Sequence, residues 1–296
     1  MERRRVDGPC ERGPGDVAES AQEEAMRIAI IGGGTIARLC LEHIRAGDLA
    51  AMEVVAIVGR SDASRGKGLA AEFGVPFVVG ADALLAARPE VVLEAASHDA
   101  VHSFGPEVLR SGVGLIVLSA GALADDALRE ALERAATERS ALLYVPSGGI
   151  GGLDALKAAC VAGVDSVTIA VTKPAAAWKG IPYVERLGVD LDKLRASLTL
   201  FDGPAREGVP HFPANVNIAA VLSLAGIGFD RTRLKVVADP ELTHNTHYID
   251  VRGKTGSISI KLENVPSPDN PKTAWLACYS ALAALGQLGA KIRYGT

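Results

Sequence analysis

From Met26 onward, short apolar runs alternate with segments whose apolar residues recur at helical spacing. MRIAIIGGG, residues 26–34, is a β-branched run closing on glycines, the pattern of a buried parallel strand entering a tight turn. TIARLCLEHIRAG follows with helical spacing and stops at Gly47. The alternation continues with MEVVAIVGR as strand, SRGKGLAAEFG as helix, VPFVV as strand and ADALLAARP as helix. VVLEAA, GLIVLSA and ALLYVPS are further strands, separated by helical segments. Such a series predicts a parallel sheet covered on both faces. Beyond residue 150 the rhythm changes: SVTIAVTKP, ASLTLFDG, RLKVVADP, THYIDVRG and GSISIKLEN read as strands with more in–out alternation. Those between 234 and 263 predict antiparallel hairpins, hence an α+β half. PKTAWLACYSALAALGQLG closes the pattern as a helix, with Pro271 before it and Gly289 as its stop.

Residues 1–25 differ from this regular part, mixing charges of both signs with Gly and Pro and lacking a hydrophobic stretch. They read as a disordered extension, or as sequence upstream of a functional start at Met26, and neither as a secretory signal nor as a transit peptide. With 31 basic against 35 acidic residues the chain has no basic field to release phosphate counterions, which argues against a nucleic-acid partner. No apolar run approaches the roughly 20 residues of a membrane span. Cys10, Cys40, Cys160 and Cys278 show no CxxC pairing, so neither a zinc site nor a disulfide framework is expected, and reduced thiols in the cytoplasm fit better.

The first strand–turn–helix carries Gly32-Gly33-Gly34-Thr35-Ile36-Ala37, a match to G-x-G-x-x-G/A. Gly32 would permit the tight turn, Gly34 a close approach of backbone to a pyrophosphate, and Ala37 close packing of helix on sheet. Anionic phosphates would lie over the helix N-terminal amides of Thr35 and Ile36. The fold class expected is therefore α/β: an N-terminal Rossmann-type parallel sheet (26–148), a C-terminal α+β substrate and dimerisation domain (149–270), and a last helix (271–296) packing back on the first domain. At the end of the second strand, Arg60 and Ser61 stand where an NAD-selective site usually places an acid. A guanidinium and a hydroxyl suit a 2′-phosphate, so NADP, or use of both NAD and NADP, is expected over strict NAD. The turns Glu94–His98 and Leu118–Ala122 leave room at the same sheet edge, with His98 read as structural or solvated.

Three later segments carry the substrate question: Val171–Trp178, Pro213–Ala220, and Ala238-Asp239-Pro240 with Asn245-Thr246-His247. Together with Asn270-Pro271-Lys272-Thr273 and the glycine loop, they resemble the L-aspartate dehydrogenase family, from Met26 to the last helix. The resemblance implies oxidative deamination of L-aspartate to iminosuccinate, then oxaloacetate and ammonia, or a supply of iminosuccinate to NAD biosynthesis. It also implies a homodimer, an active-site histidine at His247, and cofactor contacts at Gly149 and Asn217. The family residue expected at position 149 is alanine, a departure of one methyl that a backbone contact survives.

His247 makes chemical sense independently: the amine must lose a proton before hydride leaves, and water must later attack the imine. A histidine of ordinary pKa, about 6.5, serves both. Strand alternation would place His247, Ile249 and Val251 on one face and Thr246, Tyr248 and Asp250 on the other. A dicarboxylate also needs cations, and Lys173, at the end of an apolar strand, is the first candidate, with Lys272 weaker. One of Asn215 and Asn217 is expected to cap the following helix. Trp178 is read equally as pocket wall or core. The rival readings are another two-domain reductase, related to dihydrodipicolinate reductase or homoserine dehydrogenase, and a cofactor sensor without catalysis.

Overall fold

Two sheets organise the chain, and the computed structural model describes residues 25–292 apart from 50, 214, 268–273 and 289. Pro271, Lys272, Gly289 and nearly all of the N-terminal extension lie outside the described residues.

The first sheet comprises β1 (Met26–Ile31), β2 (Met52–Gly59), β3 (Phe77–Val79), β4 (Val91–Glu94), β5 (Gly114–Val117) and β6 (Leu143–Tyr144). Their order is β3-β2-β1-β4-β5-β6, every pair parallel. Between them run α1 (Thr35–Ala46), α2 (Gly66–Phe73), α3 (Ala81–Ala86), α4 (His98–Arg110) and α5 (Asp126–Arg139). β1 shows why its sequence is a continuous apolar run: Ile28 and Ile30 pack to one face, Ala29 and Ile31 to the other, and both faces are covered. Each isoleucine so buried contributes about 1.5–3 kcal/mol. α1 sets Ala37, Cys40 and Leu41 against the sheet and ends at Gly47, whose left-handed φ of 89° lets its amide reach back to the His43 and Ile44 carbonyls.

The chain then enters the second sheet through α6 (Leu153–Ala162). Its strands are β7 (Val164–Pro174), β8 (Leu198–Pro204), β9 (Thr232–Asp239), β10 (Asn245–Gly253) and β11 (Gly256–Asn264), in the order β11-β10-β7-β9-β8. Three short helices, α7 (Pro182–Arg186), α8 (Ala205–His211) and α9 (Asn217–Ala225), complete this half. β10 and β11 form the expected hairpin. β9 does not join it: it lies between β7, to which it is parallel, and β8. Sequence adjacency suggested hairpin pairing, but β7 takes β10 on its other edge and separates the two. Val167, Ile169, Val171 and Lys173 of β7 share the buried face, and the first three pack against α6, α8 and α9. Finally α10 (Trp275–Leu288) returns to the first domain, where Ala281, Leu282, Ala284 and Leu285 join the cluster of α1.

Strand order reverses between β1 and β4, so a crevice opens at their carboxyl ends, the place where open α/β sheets bind ligands. The end of β7 and the start of β10 face that crevice from the second sheet.

Candidate active site

The glycine loop is shaped by three distinct constraints. Gly32 adopts φ +117°, and a Cβ there would stand 2.7 Å from the Ala95 carbonyl oxygen. Gly33 falls on a variable position of the motif, yet a Cβ there would collide with the backbone of Gly66 at the start of α2. Gly34 is exposed, and a Cβ there would meet nothing within 4 Å. The first two glycines serve the fold, and the third leaves free space above the loop. No side chain caps α1 and no acid occupies its first turn, so the amides of Thr35 and Ile36 are left for an external anion.

Beside this loop, a groove at the end of β2 is walled by Arg60, Ser64, Arg65 and Gly32–Gly34. Arg60 is largely exposed and only 3.8 Å from the equally exposed Asp99 oxygen, a surface pair of little worth. Ser61, expected in this role, is not among the residues that wall the groove; its amide donates to Ser64 Oγ at 3.2 Å. The turn delivers Ser64 and Arg65 instead, which spacing from the strand end did not reveal. No carboxylate lines the groove among the described residues.

Glu94, the last residue of β4, holds the crevice edge. Its Oε1 accepts from the amides of Ala96 and Ser97 and from Ser119 Oγ, and its Oε2 from the Ser119 amide, at 2.8–2.9 Å. Burial raises its carboxyl above the usual carboxylate range, although all four donors oppose the shift. One side chain thus fixes both turns on which a nicotinamide and ribose would rest. Across from it, Asn217 Oδ1 accepts from the Gly121 amide at 3.0 Å and pairs with His98 Nε2 at 3.1 Å. His98 is therefore a strut between the two halves. Asn217 opens α9 as its first residue and neither asparagine caps it; the cap position is Val216. With its oxygen committed, Asn217 presents its amide nitrogen to the cleft it lines.

The cleft between the halves encloses about 320 Å³, the lower end of small-molecule sites. Gly34, Thr35, Ile36, Gly149 and Asn217 line it from the cofactor side, Lys173, Asn215, Asn245 and His247 from the second sheet. Gly149 is tied to β11 through its carbonyl, which accepts from Asn264 Nδ2 at 2.8 Å. A Cβ at Gly149 would lie 3.4 Å from that nitrogen and 3.5 Å from Ala274, so alanine fits there with little adjustment.

His247 is 2% exposed, and its Nδ1 has no hydrogen-bond partner among the described residues. Burial, reinforced by the nearby charge of Lys173, pushes the ring down to about 3. In the free cleft this favours the neutral ring, below the ordinary histidine value expected from sequence. His244, by contrast, is on the surface, 3.5 Å from Glu263 Oε1. Lys173 is 4% exposed, and burial alone lowers its ammonium to about 8. Its Nζ donates to Asn215 Oδ1 at 3.3 Å and sits 5.3 Å above the Trp178 ring. Trp178 itself is core: fully buried, edge-on to Phe212, with Nε1 donating to the Val237 carbonyl. Among the described residues lining the cleft, Lys173 and His247 are the titratable groups and none is an acid. An anionic ligand suits such a lining. Asn215 is expected from sequence only as a candidate helix cap, and Asn245 has no expected role, although counting by twos back from His247 finds it.

A sequence profile of the aspartate dehydrogenase C-terminal domain matches residues 154–288, and one of the homoserine dehydrogenase NAD-binding domain matches residues 32–146. The L-aspartate dehydrogenase of Methanosarcina acetivorans is 42% identical over 273 residues, 92% of this chain and 100% of that protein. The chain belongs to the L-aspartate dehydrogenase family. Within that family, L-aspartate dehydrogenase 2 of Bordetella bronchiseptica is 44% identical over 91% of this chain and 99% of its own. The crystal structure of aspartate dehydrogenase from Thermotoga maritima superposes with a TM-score of 0.70 at 29% identity, covering 92% of this chain and 100% of that one. Membership makes this chain an NAD(P)-dependent oxidoreductase of small molecules. The homoserine dehydrogenase likeness is confined to the cofactor half, while the second half carries the aspartate dehydrogenase match. No described helix is long and apolar enough to cross a membrane. Among the described residues no cluster of His, Cys, Asp and Glu is placed to hold a metal ion. Among the described residues Cys40, Cys160 and Cys278 form no disulfide, and burial, with Cys278 nearby, pushes the Cys40 thiol up to about 12.

Proposed function

We propose that this family member oxidatively deaminates L-aspartate with NAD or NADP, giving iminosuccinate and then oxaloacetate and ammonia. The observation that carries the reading is the family match across the whole of its relatives, joined to a cleft whose described lining holds no acid and sets a buried lysine and a histidine beside the dinucleotide loop. The amides of Thr35 and Ile36 would hold the pyrophosphate, and Arg60 with its neighbours would receive a 2′-phosphate where one is present. The nicotinamide, when bound, accepts hydride from the substrate α-carbon.

His247 takes the proton that the substrate ammonium must lose, and afterwards assists water in attacking the imine. Its unpartnered Nδ1 is consistent with a ring kept for an external group. In the free cleft, burial and the Lys173 charge hold that ring neutral. Carboxylates entering beside Lys173 offset its charge, so proton affinity at His247 rises as the substrate arrives. Asn217, through its free amide nitrogen, orients the nicotinamide amide or ribose, and Gly149 contributes a backbone contact. The family resemblance supports a cytoplasmic homodimer, and iminosuccinate supplies NAD biosynthesis.

The test is a panel of amino acids assayed at alkaline pH with each cofactor, following absorbance of the reduced nicotinamide. L-Aspartate is expected to exceed every other amino acid in kcat/KM. Equal or greater activity with a monocarboxylic amino acid, or none with L-aspartate, would overturn the reading.

A further inference from the structure

Among the described residues, Lys173 is a buried cation without an anion. It is 4% exposed, and of its three ammonium donors one is directed at a side chain of the protein, the neutral Asn215 amide oxygen at 3.3 Å. Asn215 is itself oriented, its Nδ2 donating to the Pro213 carbonyl at 3.2 Å. Trp178 supports the ammonium from below with its ring face at 5.3 Å. Among the described residues, the elements packed around the lysine bring no carboxylate. β10 contributes His247 and Asn245, and the segment before α9 contributes Asn215. β9 places Ala238 directly opposite, and the adjoining Asp239 binds the Glu241 amide in its own turn. Consistently, burial is the sole cause that lowers the ammonium, and its own charge is felt by His247.

An uncompensated buried ammonium is expensive, and folding alone would favour an apolar residue at the end of β7. The same lysine opens onto the cleft, on the strand face it shares with Val171, which lies opposite His247 in the sheet. The missing anion is therefore to be supplied from outside, next to the histidine.

We propose that Lys173, positioned by Asn215 and Trp178, is the receptor for a carboxylate of the substrate, and that the substrate binds only while this lysine is protonated. This rests on the L-aspartate reading above. It makes Lys173 a specificity residue rather than the base. Substrate affinity then falls as pH rises through the lysine's own transition, at about 8 in the free protein. His247, already neutral and pushed to about 3, has no part in that transition.

Succinate is the probe, because both its carboxylates are ionised throughout the range and it carries no amine. Its binding to the protein saturated with oxidised dinucleotide is measured by calorimetry from pH 7 to 10, in buffers of different ionisation heat. Affinity is expected to fall about tenfold per pH unit above 8, with proton uptake approaching one per succinate. Lys173→Met is expected to weaken succinate at pH 7 by about a hundredfold or more and to abolish the pH dependence. Lys173→Arg keeps the charge but not the titration, so it should retain part of the affinity with a flat profile. Dinucleotide affinity in both variants reports that the fold is intact. In turnover, Lys173→Met should raise KM for L-aspartate far more than it lowers kcat. Succinate binding independent of pH in the wild type, wild-type affinity in Lys173→Met, or a loss confined to kcat would each overturn the assignment. If those results come from a protein that oxidises L-aspartate, only the lysine's role falls. A wild type that neither oxidises L-aspartate nor binds succinate removes the functional reading itself.

Discussion

Replacing Lys173 by methionine should make the ligand-free protein more stable. In the unfolded chain the lysine titrates at its ordinary value of 10.5, and in the folded one burial brings it to about 8. Below pH 8 the ammonium is charged in both states, and the full cost of burying it is present. As pH rises from 8 towards 10.5 the folded state sheds its proton first and the cost fades. A shift of that size corresponds to about 3 kcal/mol at roughly 1.36 kcal/mol per unit. Methionine matches the length of the lysine stem but leaves Asn215 Oδ1 without its donor, which returns about 1 kcal/mol. A net gain of about 2 kcal/mol is expected at pH 7, or a midpoint roughly 5 °C higher. Thermal and urea unfolding of the ligand-free protein at pH 7 and pH 10 measure it, and the advantage should vanish at the higher pH. A methionine variant no more stable than wild type at pH 7, or a difference independent of pH, would refute the uncompensated-cation reasoning.

Other substitutions separate fold from chemistry. Gly33→Ala drives a Cβ into the Gly66 backbone and should destabilise by about 1–3 kcal/mol or more, whereas Gly34→Ala, facing open space, should leave the melting temperature unchanged and weaken dinucleotide binding about tenfold or more. Equal effects on both properties in the two variants would contradict the division of labour drawn for the loop. Arg60→Ala should raise the Kd for NADP about tenfold while sparing NAD, since only the former presents a 2′-phosphate; parallel losses would show that Arg60 does not read it. His247→Ala should cut turnover by about 10²–10⁴-fold at unchanged dinucleotide affinity, with His244→Ala within a few-fold of wild type. Because burial holds the His247 ring at about 3, the wild-type kcat/KM profile should carry no histidine limb near its ordinary pKa. A limb there that disappears in His247→Ala would mean that the ring is solvated.

Much of this was legible before any coordinates. Strands buried on both faces read as unbroken apolar runs, which is why β1, β2, β4 and β5 could be placed from pattern alone. The glycine loop was legible for the same kind of reason, since each motif position encodes a steric demand. The role of Gly33 was not, because the neighbour that forbids a side chain there, Gly66, lies 33 residues on. Likewise β9 was misread as half of a hairpin with β10, since the competing partner, β7, is some 60 residues upstream. Glu94 carries no motif, and its four donors come from two separate turns that only the folded sheet brings together. His247 could be proposed from family resemblance, but its depressed pKa could not, because that depends on burial and on Lys173 across the sheet. Ser61 follows directly from its place after the strand, whereas Ser64 and Arg65 reach the groove wall only through the geometry of the turn.

The central claim is that hydride leaves the α-carbon of L-aspartate for the dinucleotide in this cleft. It is tested most directly by supplying L-aspartate deuterated at that carbon and weighing the reduced cofactor by mass spectrometry, with ammonia measured alongside. The account predicts one deuterium in each reduced dinucleotide and one ammonia released for each formed. Reduced dinucleotide without deuterium, or no reduction at all with L-aspartate, would contradict it.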